Sequence, residues 1–202
     1  MARVYPTAAA LTYRDYLALP ASPRLELIDG LALAMAGPGR LHQAAVLSVA
    51  AQLYNQLLGK ACRPYVAPFD VRLPKASEVE GEERNVLQPD VCVVCDRSKE
   101  RERSLLGAPD FVLEVTSPST SSRDHIGKRR LYEAAGVREY WLFDPDTRLL
   151  HLYRREGAGF GRPEVLLGIG VHALVSLEGV QIDFDLVEKP DGWREPTLDD
   201  VE

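Results

Sequence analysis

Two carboxylates interrupt otherwise hydrophobic runs in this chain. Phe111-Val112-Leu113-Glu114-Val115-Thr116 carries Glu114 in its middle, and Pro89-Asp90-Val91-Cys92-Val93-Val94-Cys95 carries Asp90 at its mouth. Each run is short and apolar, the pattern of a strand buried on both faces. An ionised carboxylate inside such a strand requires a cation, several hydrogen-bond donors or a raised pKa. By the period of two, Glu114 shares a face with Val112 and Thr116, while Phe111, Leu113 and Val115 face the opposite layer. If the two strands are neighbours, the acids converge at one sheet end and repel unless a divalent cation or a proton lies between them. Plainer readings stand beside this one. Glu114 could pair with an Arg or Lys across the sheet, and Asp90 could be a turn residue after Pro89.

Lys128 heads the inward stripe of the helix expected after the Glu114 strand, where it can lean over the strand ends toward both acids. An ammonium there could orient water and stabilise charge growing on a phosphorane-like transition state. Its plain alternative is an i,i+4 salt bridge with Asp124. His42 lies in the first turn of another helix, at the positive end of the dipole, which favours the neutral imidazole as an acceptor or metal ligand. The competing reading is a satisfied core histidine. Tyr132, four residues beyond Lys128, reads as core packing with its hydroxyl on a polar partner.

The elements that must position these groups can be traced in order. Thr12 caps a short helix through Leu19, stopped by Pro20. Arg24 to Ile28 and Leu31 to Met35 flank Asp29-Gly30, the dipeptide of a two-residue hairpin turn. The second helix runs from Arg40 to Leu58, ends at Gly59 and carries the stripe Val46, Val49, Leu53 and Leu57, which points His42 inward. Val66 to Leu73 reads as a strand, Pro74 to Gln88 as an exposed polar hairpin loop with little chemistry, and Asp96 to Ala108 as a charged connection. Ser117 to Ser122 reads as a loop; Ser122 or Asp124 caps a helix to Ala135, with Gly136 after it and Asp124, Lys128, Tyr132 and Ala135 on one face. Glu139 to Asp144, Leu149 to Arg154, Glu164 to Leu167 and Leu174 to Phe184 read as strands. The economical fold class is a single mixed α/β domain over residues 1–189, with an acidic, loosely ordered tail over 190–202.

The chain has 202 residues, a net charge of −6, 46% hydrophobic and 27% charged residues, which fits a soluble globular chain and rules out whole-chain disorder. Without a global basic field, a nucleic acid must be held by a local patch, such as Arg123, Lys128, Arg129, Arg130 and Arg138, or through a bound cation. Cys62, Cys92 and Cys95 are odd in number and suggest no disulfide framework, so a reducing cytoplasm is expected. The N-terminal stretch lacks a signal-peptide core, and no membrane span is expected. The CxxC of Cys92 and Cys95 points to opposite strand faces with nothing to complete a zinc site, so both read as core. No GxSxG, GxGxxG or Walker loop occurs.

Pro89-Asp90 followed by Glu114-Val115-Thr116 resembles the motif of the PD-(D/E)XK nuclease superfamily. More specifically, LEVTSPSTSSRDHIGKRRLYEAAGVREYWLFDP looks like the signature of the Uma family of restriction-endonuclease-like proteins, supported by LELIDG, RLHQAA and QPDVCVV. The resemblance covers most of Leu25 to Pro145. It implies a restriction-endonuclease-like α/β core with a mixed central sheet flanked by helices. It also implies a Mg²⁺ ion, replaceable by Mn²⁺, on Asp90, Glu114 and the backbone carbonyl of Val115. Thr116 stands where the superfamily has its lysine, and in the Uma pattern Lys128 supplies the missing amine; His42 resembles the group contributed by the early helix. The function implied is a metal-dependent endonuclease acting on nucleic acid, DNA ahead of RNA, as a homo-oligomer (a dimer). Two alternatives remain: an inactive nucleic-acid-binding or oligomeric scaffold, motivated by Thr116, and a small-molecule phosphohydrolase.

Overall fold

Asp29 and Gly30 both adopt positive φ, 48° and 81°, so the chain reverses in two residues and pairs Leu25–Ile28 with Leu31–Ala34. The computed structural model describes residues 3–4, 10–116 and 122–195, of which 3, 4 and 122–125 are described by backbone alone. In chain order the elements are β1 (Arg3–Val4), α1 (Tyr13–Tyr16), β2 (Leu25–Ile28), β3 (Leu31–Ala34), α2 (Arg40–Leu57), β4 (Arg63–Val66), β5 (Asp70–Arg72), β6 (Val86–Leu87), β7 (Val91–Val94), β8 (Ser104–Leu106), β9 (Phe111–Val115), α3 (Ser122–Ala135), β10 (Glu139–Phe143), β11 (Leu149–Glu156), β12 (Gly159–Phe160), β13 (Glu164–Leu167), β14 (Val171–Ala173) and β15 (Gln181–Asp183). One mixed sheet runs β1-β3-β2-β6-β5-β8 and a second runs β12-β11-β10-β9-β7-β4, with β13 also on β11; β14 and β15 form a separate pair.

The central strands of the second sheet split their side chains between two cores. Val91, Val93, Phe111, Leu113, Val115, Trp141 and Phe143 pack with Ala45, Val49, Leu53 and Leu57 of α2. Cys92, Val94, Val112, Tyr140 and Leu142 pack on the other face with Tyr132 of α3 and with Val71 and Leu105 of the first sheet. This alternation puts Glu114 on the α3 side, as the period of two requires. A third cluster joins Tyr13 of α1 to Leu25 and Leu27 of β2, which turns Glu26 away from it. Thr12 caps α1 and forms a capping box with Asp15. Gly59 and Gly136, at φ 75° and 97°, follow α2 and α3 in the left-handed region that glycine tolerates.

Several expectations need correction. The stretch from Val66 to Leu73 is two strands in different sheets, β4 against β7 and β5 against β6, with Pro68, which has no N–H to give a ladder, between them. Residues 74–88 are not a plain exposed loop: Glu83, Asn85, Val86, Leu87 and Gln88 are buried. Asn85 Oδ1 accepts the Asp29 amide at 2.8 Å and so holds the hairpin turn. Ser104–Leu106, expected to be connection, pairs parallel to β5. Val171–Ala173 and Gln181–Asp183 replace the single stretch from Leu174 to Phe184. Trp193 lies under Arg148 and Lys189, while residues 196–202 of the acidic tail lie outside the described residues. The Ser117–Ser121 loop and the Arg123 and Asp124 side chains lie outside them too.

The cysteines also depart from expectation, because Cys62 and Cys95 form a disulfide. The β4–β7 register sets Arg63 opposite Val94, which brings the residues flanking those strands face to face. Cys92 is the free thiol, buried, with burial pushing its pKa up to about 12. The protein in its native state is therefore expected to show no thiol reactive toward an aromatic disulfide reagent, and one thiol after unfolding in urea. The cross-link spans a sequence separation of 33. Its reduction is expected to cost about 3–4 kcal/mol, read as the difference between urea transitions with and without a dithiol reductant. A difference below about 1 kcal/mol would contradict that account.

Candidate active site

β7 and β9 are antiparallel neighbours with Val91 opposite Leu113 and Cys92 opposite Val112, so Asp90, just ahead of β7, falls level with Glu114. Both acids are buried, at 8% and 5% exposure, on the face turned to α3. Asp90 Oδ2 accepts the Val115 amide at 2.8 Å and lies 3.2 Å from His42 Nε2. Glu114 Oε1 accepts from Tyr132 Oη at 2.8 Å and from Lys128 Nζ at 3.1 Å. Lys128 and Tyr132 are one turn apart on α3, the spacing that places both over the same strand position. Asp90, Glu114, Lys128, His42 and the Val115 backbone, all singled out in the sequence, thus meet at one end of β7 and β9. The expected companion of Lys128, Asp124, lies outside the described side chains. In its place Lys128 pairs with Glu114 and, at 2.8 Å, with Glu26 Oε1.

Glu26 is the member that sequence reasoning missed. It sits in β2 between Leu25 and Leu27, and an acid alternating with leucines reads as the solvent face of a half-buried hairpin. Here that face is covered, Glu26 being 6% exposed, and its Oε1 also accepts the Gln88 amide at 2.8 Å. The quoted LELIDG motif held the only available signal. Gln88 continues the network outward, its Nε2 donating to Asp70 Oδ1 at 2.9 Å and to Tyr16 Oη at 3.2 Å.

Burial raises the Glu114 pKa to about 7; Lys128 opposes the shift, while Asp90 and Glu26 add to it. For Lys128, burial alone would favour the neutral amine, but the charges of Glu114 and Glu26 outweigh it and keep the ammonium. His42 reverses an expectation. Burial disfavours its protonation, yet the hydrogen bond and charge of Asp90, with the charge of Glu114, carry its pKa upward. His42 donates to Asp90 through Nε2, a contact that the neutral and the protonated ring both make, and the Asp90 charge opposes the helix dipole there. Its Nδ1 is buried with no partner among the described residues.

Three carboxylates facing one ammonium leave negative charge over, and the donors are hard oxygens, which suits a divalent cation of the Mg²⁺ type. Among the described residues no group of three His, Cys, Asp or Glu side chains could hold a metal on its own. A cation here would rest on Asp90 and Glu114 with a backbone carbonyl and water, the sparse protein coordination that Mg²⁺ accepts. Asp90 Oδ1 and Glu114 Oε2 carry no hydrogen bond among the described residues, whereas Oδ2 and Oε1 are engaged. The donor set fits on those terms.

A mixed sheet with two inner strands that each deliver an acid to one end, between helices on both faces, defines a restriction-endonuclease-like protein. The chain belongs to the Uma2 family, whose model, described as "Putative restriction endonuclease", matches residues 13–185. A solved structure from Anabaena variabilis, described as a "putative nuclease belonging to DUF820", superposes with a TM-score of 0.71 at 19% identity, covering 88% of this chain and 97% of that one. At that identity the likeness concerns the fold. An uncharacterized protein from Synechocystis is 28% identical over 135 residues, 66% of this chain and 67% of its own length. Among the described residues no helix is long and apolar enough to cross a membrane.

Proposed function

We propose that the protein is a metal-dependent endonuclease that hydrolyses phosphodiester bonds in nucleic acid, DNA ahead of RNA. The observation that carries the reading is the convergence of Asp90 and Glu114, level on adjacent strands, with the Lys128 ammonium 3.1 Å from Glu114. Family membership and the fold of the Anabaena protein support it. Asp90, Glu114 and the Val115 carbonyl would hold Mg²⁺, with Mn²⁺ as a substitute. Bound there, the cation supplies Lewis-acid polarisation of the phosphate and of the attacking water, and offsets repulsion between the acids and a polyanion.

The chain's own residues do the rest. Lys128 stays protonated between its carboxylates and presents N–H donors beside the phosphate, where it orients water and stabilises the charge that grows in the transition state. Glu114 holds that amine through Oε1, and Tyr132 fixes the same oxygen from the next turn of α3. Asp90 is held by the Val115 amide and by His42, so that His42 acts on the site through Asp90. A homodimer would offer two such sites to the two strands of a duplex. The inactive-scaffold reading draws on the same ion pairs, since an amine engaged by two carboxylates could serve stability alone.

Incubating purified protein with supercoiled plasmid in Mg²⁺ or Mn²⁺ separates the two. Cleavage is expected in either cation and not in a chelator, with Asp90→Asn losing it. Cation-independent cutting, or equal cutting by Asp90→Asn, removes the assignment.

A further inference from the structure

We propose that Glu26 is a positioning residue: its carboxylate seats the Lys128 ammonium over the strand ends and ties that amine to the segment that carries Asp90. The turnover part of this inference rests on the nuclease reading; the structural part does not.

An amine that enters from a helix lacks the placement a strand would give it. Thr116 follows Glu114 by two residues on the same face, where a side chain would be set by the ladder, whereas Lys128 must span from α3 on four rotatable bonds. Glu114 alone gives it one anchor, at 3.1 Å. The second and shorter anchor is Glu26 Oε1 at 2.8 Å, from a strand of the other sheet. Two anchors from different sheets fix a flexible ammonium in direction as well as distance. The same oxygen accepts the Gln88 amide, two residues before Asp90, so Glu26 holds the mouth of β7 and the amine at one point. Its own support is built: Leu25 and Leu27 lock β2 into the third core, and Gln88 is braced on Asp70 and Tyr16. Glu26 reaches Lys128 and Gln88 through Oε1, and Mn²⁺ affinity separates action through the amine from the part of a further cation ligand.

The test reads the amine directly. The protein has five lysines, Lys60, Lys75, Lys99, Lys128 and Lys189. Trace acylation of the native, metal-free protein, quantified by peptide mass spectrometry, is expected to find Lys128 the slowest. In Glu26→Ala its labelling is expected to rise about tenfold or more while the other four change less than about twofold. Glu26→Gln keeps an oxygen that can accept from Lys128 and from the Gln88 amide, and is expected to restore most of the protection. Should the alanine variant not fold, Glu26→Asp, with the carboxyl drawn back by one methylene, gives the same direction at smaller amplitude.

In the plasmid assay Glu26→Ala is expected to lower kcat about 10–100-fold, with KM and calorimetric Mn²⁺ affinity within about twofold, and Glu26→Gln to recover much of kcat. In a Lys128→Ala background the same alanine substitution is expected to cost less than about twofold, because the residue it positions is gone. Unchanged Lys128 labelling, additive losses in the double variant, or a fall in Mn²⁺ affinity each overturns the inference. Altered labelling in a protein that never cuts DNA would instead sink the nuclease reading and leave the Lys128 seat in place.

Discussion

Lys128→Met is expected to lower stability by about 3–5 kcal/mol, a deficit that widens as pH rises above 7. Methionine fills a similar volume, so the loss is electrostatic. It leaves Glu26 and Glu114, with side chains 7% and 6% exposed, facing each other and Asp90 without their cation. Breaking one partner out of a buried pair costs more than the pair contributes, because the survivor stays desolvated and uncompensated. The sign with pH follows from Glu114. Its folded pKa stands near 7, above the ordinary 4.5, so the folded protein holds a proton that the unfolded chain has released, and this contribution to stability is lost as pH rises through 7. Without Lys128, which opposes the upward shift, the folded pKa climbs further. The variant then keeps losing stability above pH 7, where the wild type has levelled off. Urea unfolding of metal-free protein at pH 6 and pH 9 measures both effects. A deficit under about 1 kcal/mol, or one independent of pH, would refute this account of the site.

Glu114→Gln is expected to abolish cleavage, by on the order of 10³-fold or more, while the protein stays folded. The substitution preserves shape and removes the charge that the proposed cation needs. It also sets an amide where Lys128 and Tyr132 both require an acceptor, at 3.1 and 2.8 Å from the present Oε1. If the amide turns its oxygen to these donors, its NH₂ occupies the position of Oε2, where a donor-only amide nitrogen cannot ligate Mg²⁺. Mn²⁺ affinity by calorimetry is therefore expected to fall with activity. Unaltered Mn²⁺ binding beside lost cleavage would move Glu114 from the cation to the amine, and unaltered cleavage would dismiss it from the site.

Much of this arrangement is legible in the amino acids because it rests on local rules. The strand period predicts the face that Glu114 shares with Val112, and the helix period predicts that Lys128 and Tyr132 lean together onto it. Asp29-Gly30 and the glycines after α2 and α3 mark turns that only a permissive backbone makes cheaply. What stays hidden depends on which elements meet. Glu26 looks solvated until a second sheet and α3 cover its face. The Cys62–Cys95 pair follows from the β4–β7 register, which no local pattern contains. Asn85, in a stretch that reads as polar loop, is buried because it must hold the hairpin turn. The position of His42 beside Asp90 follows from the helix stripe, but the direction in which its pKa moves does not. The helix dipole is visible in sequence, and the Asp90 charge that overrides it is not.

The site draws on β2, α2, the mouth of β7, β9 and α3, so its members are strewn from Glu26 to Lys128 along the chain. During synthesis, an emerging polypeptide carries its acids long before it carries the amine that completes them. A ribosome halted short of α3 would thus release a product that holds Glu26, Asp90 and Glu114 and lacks the ammonium that faces them.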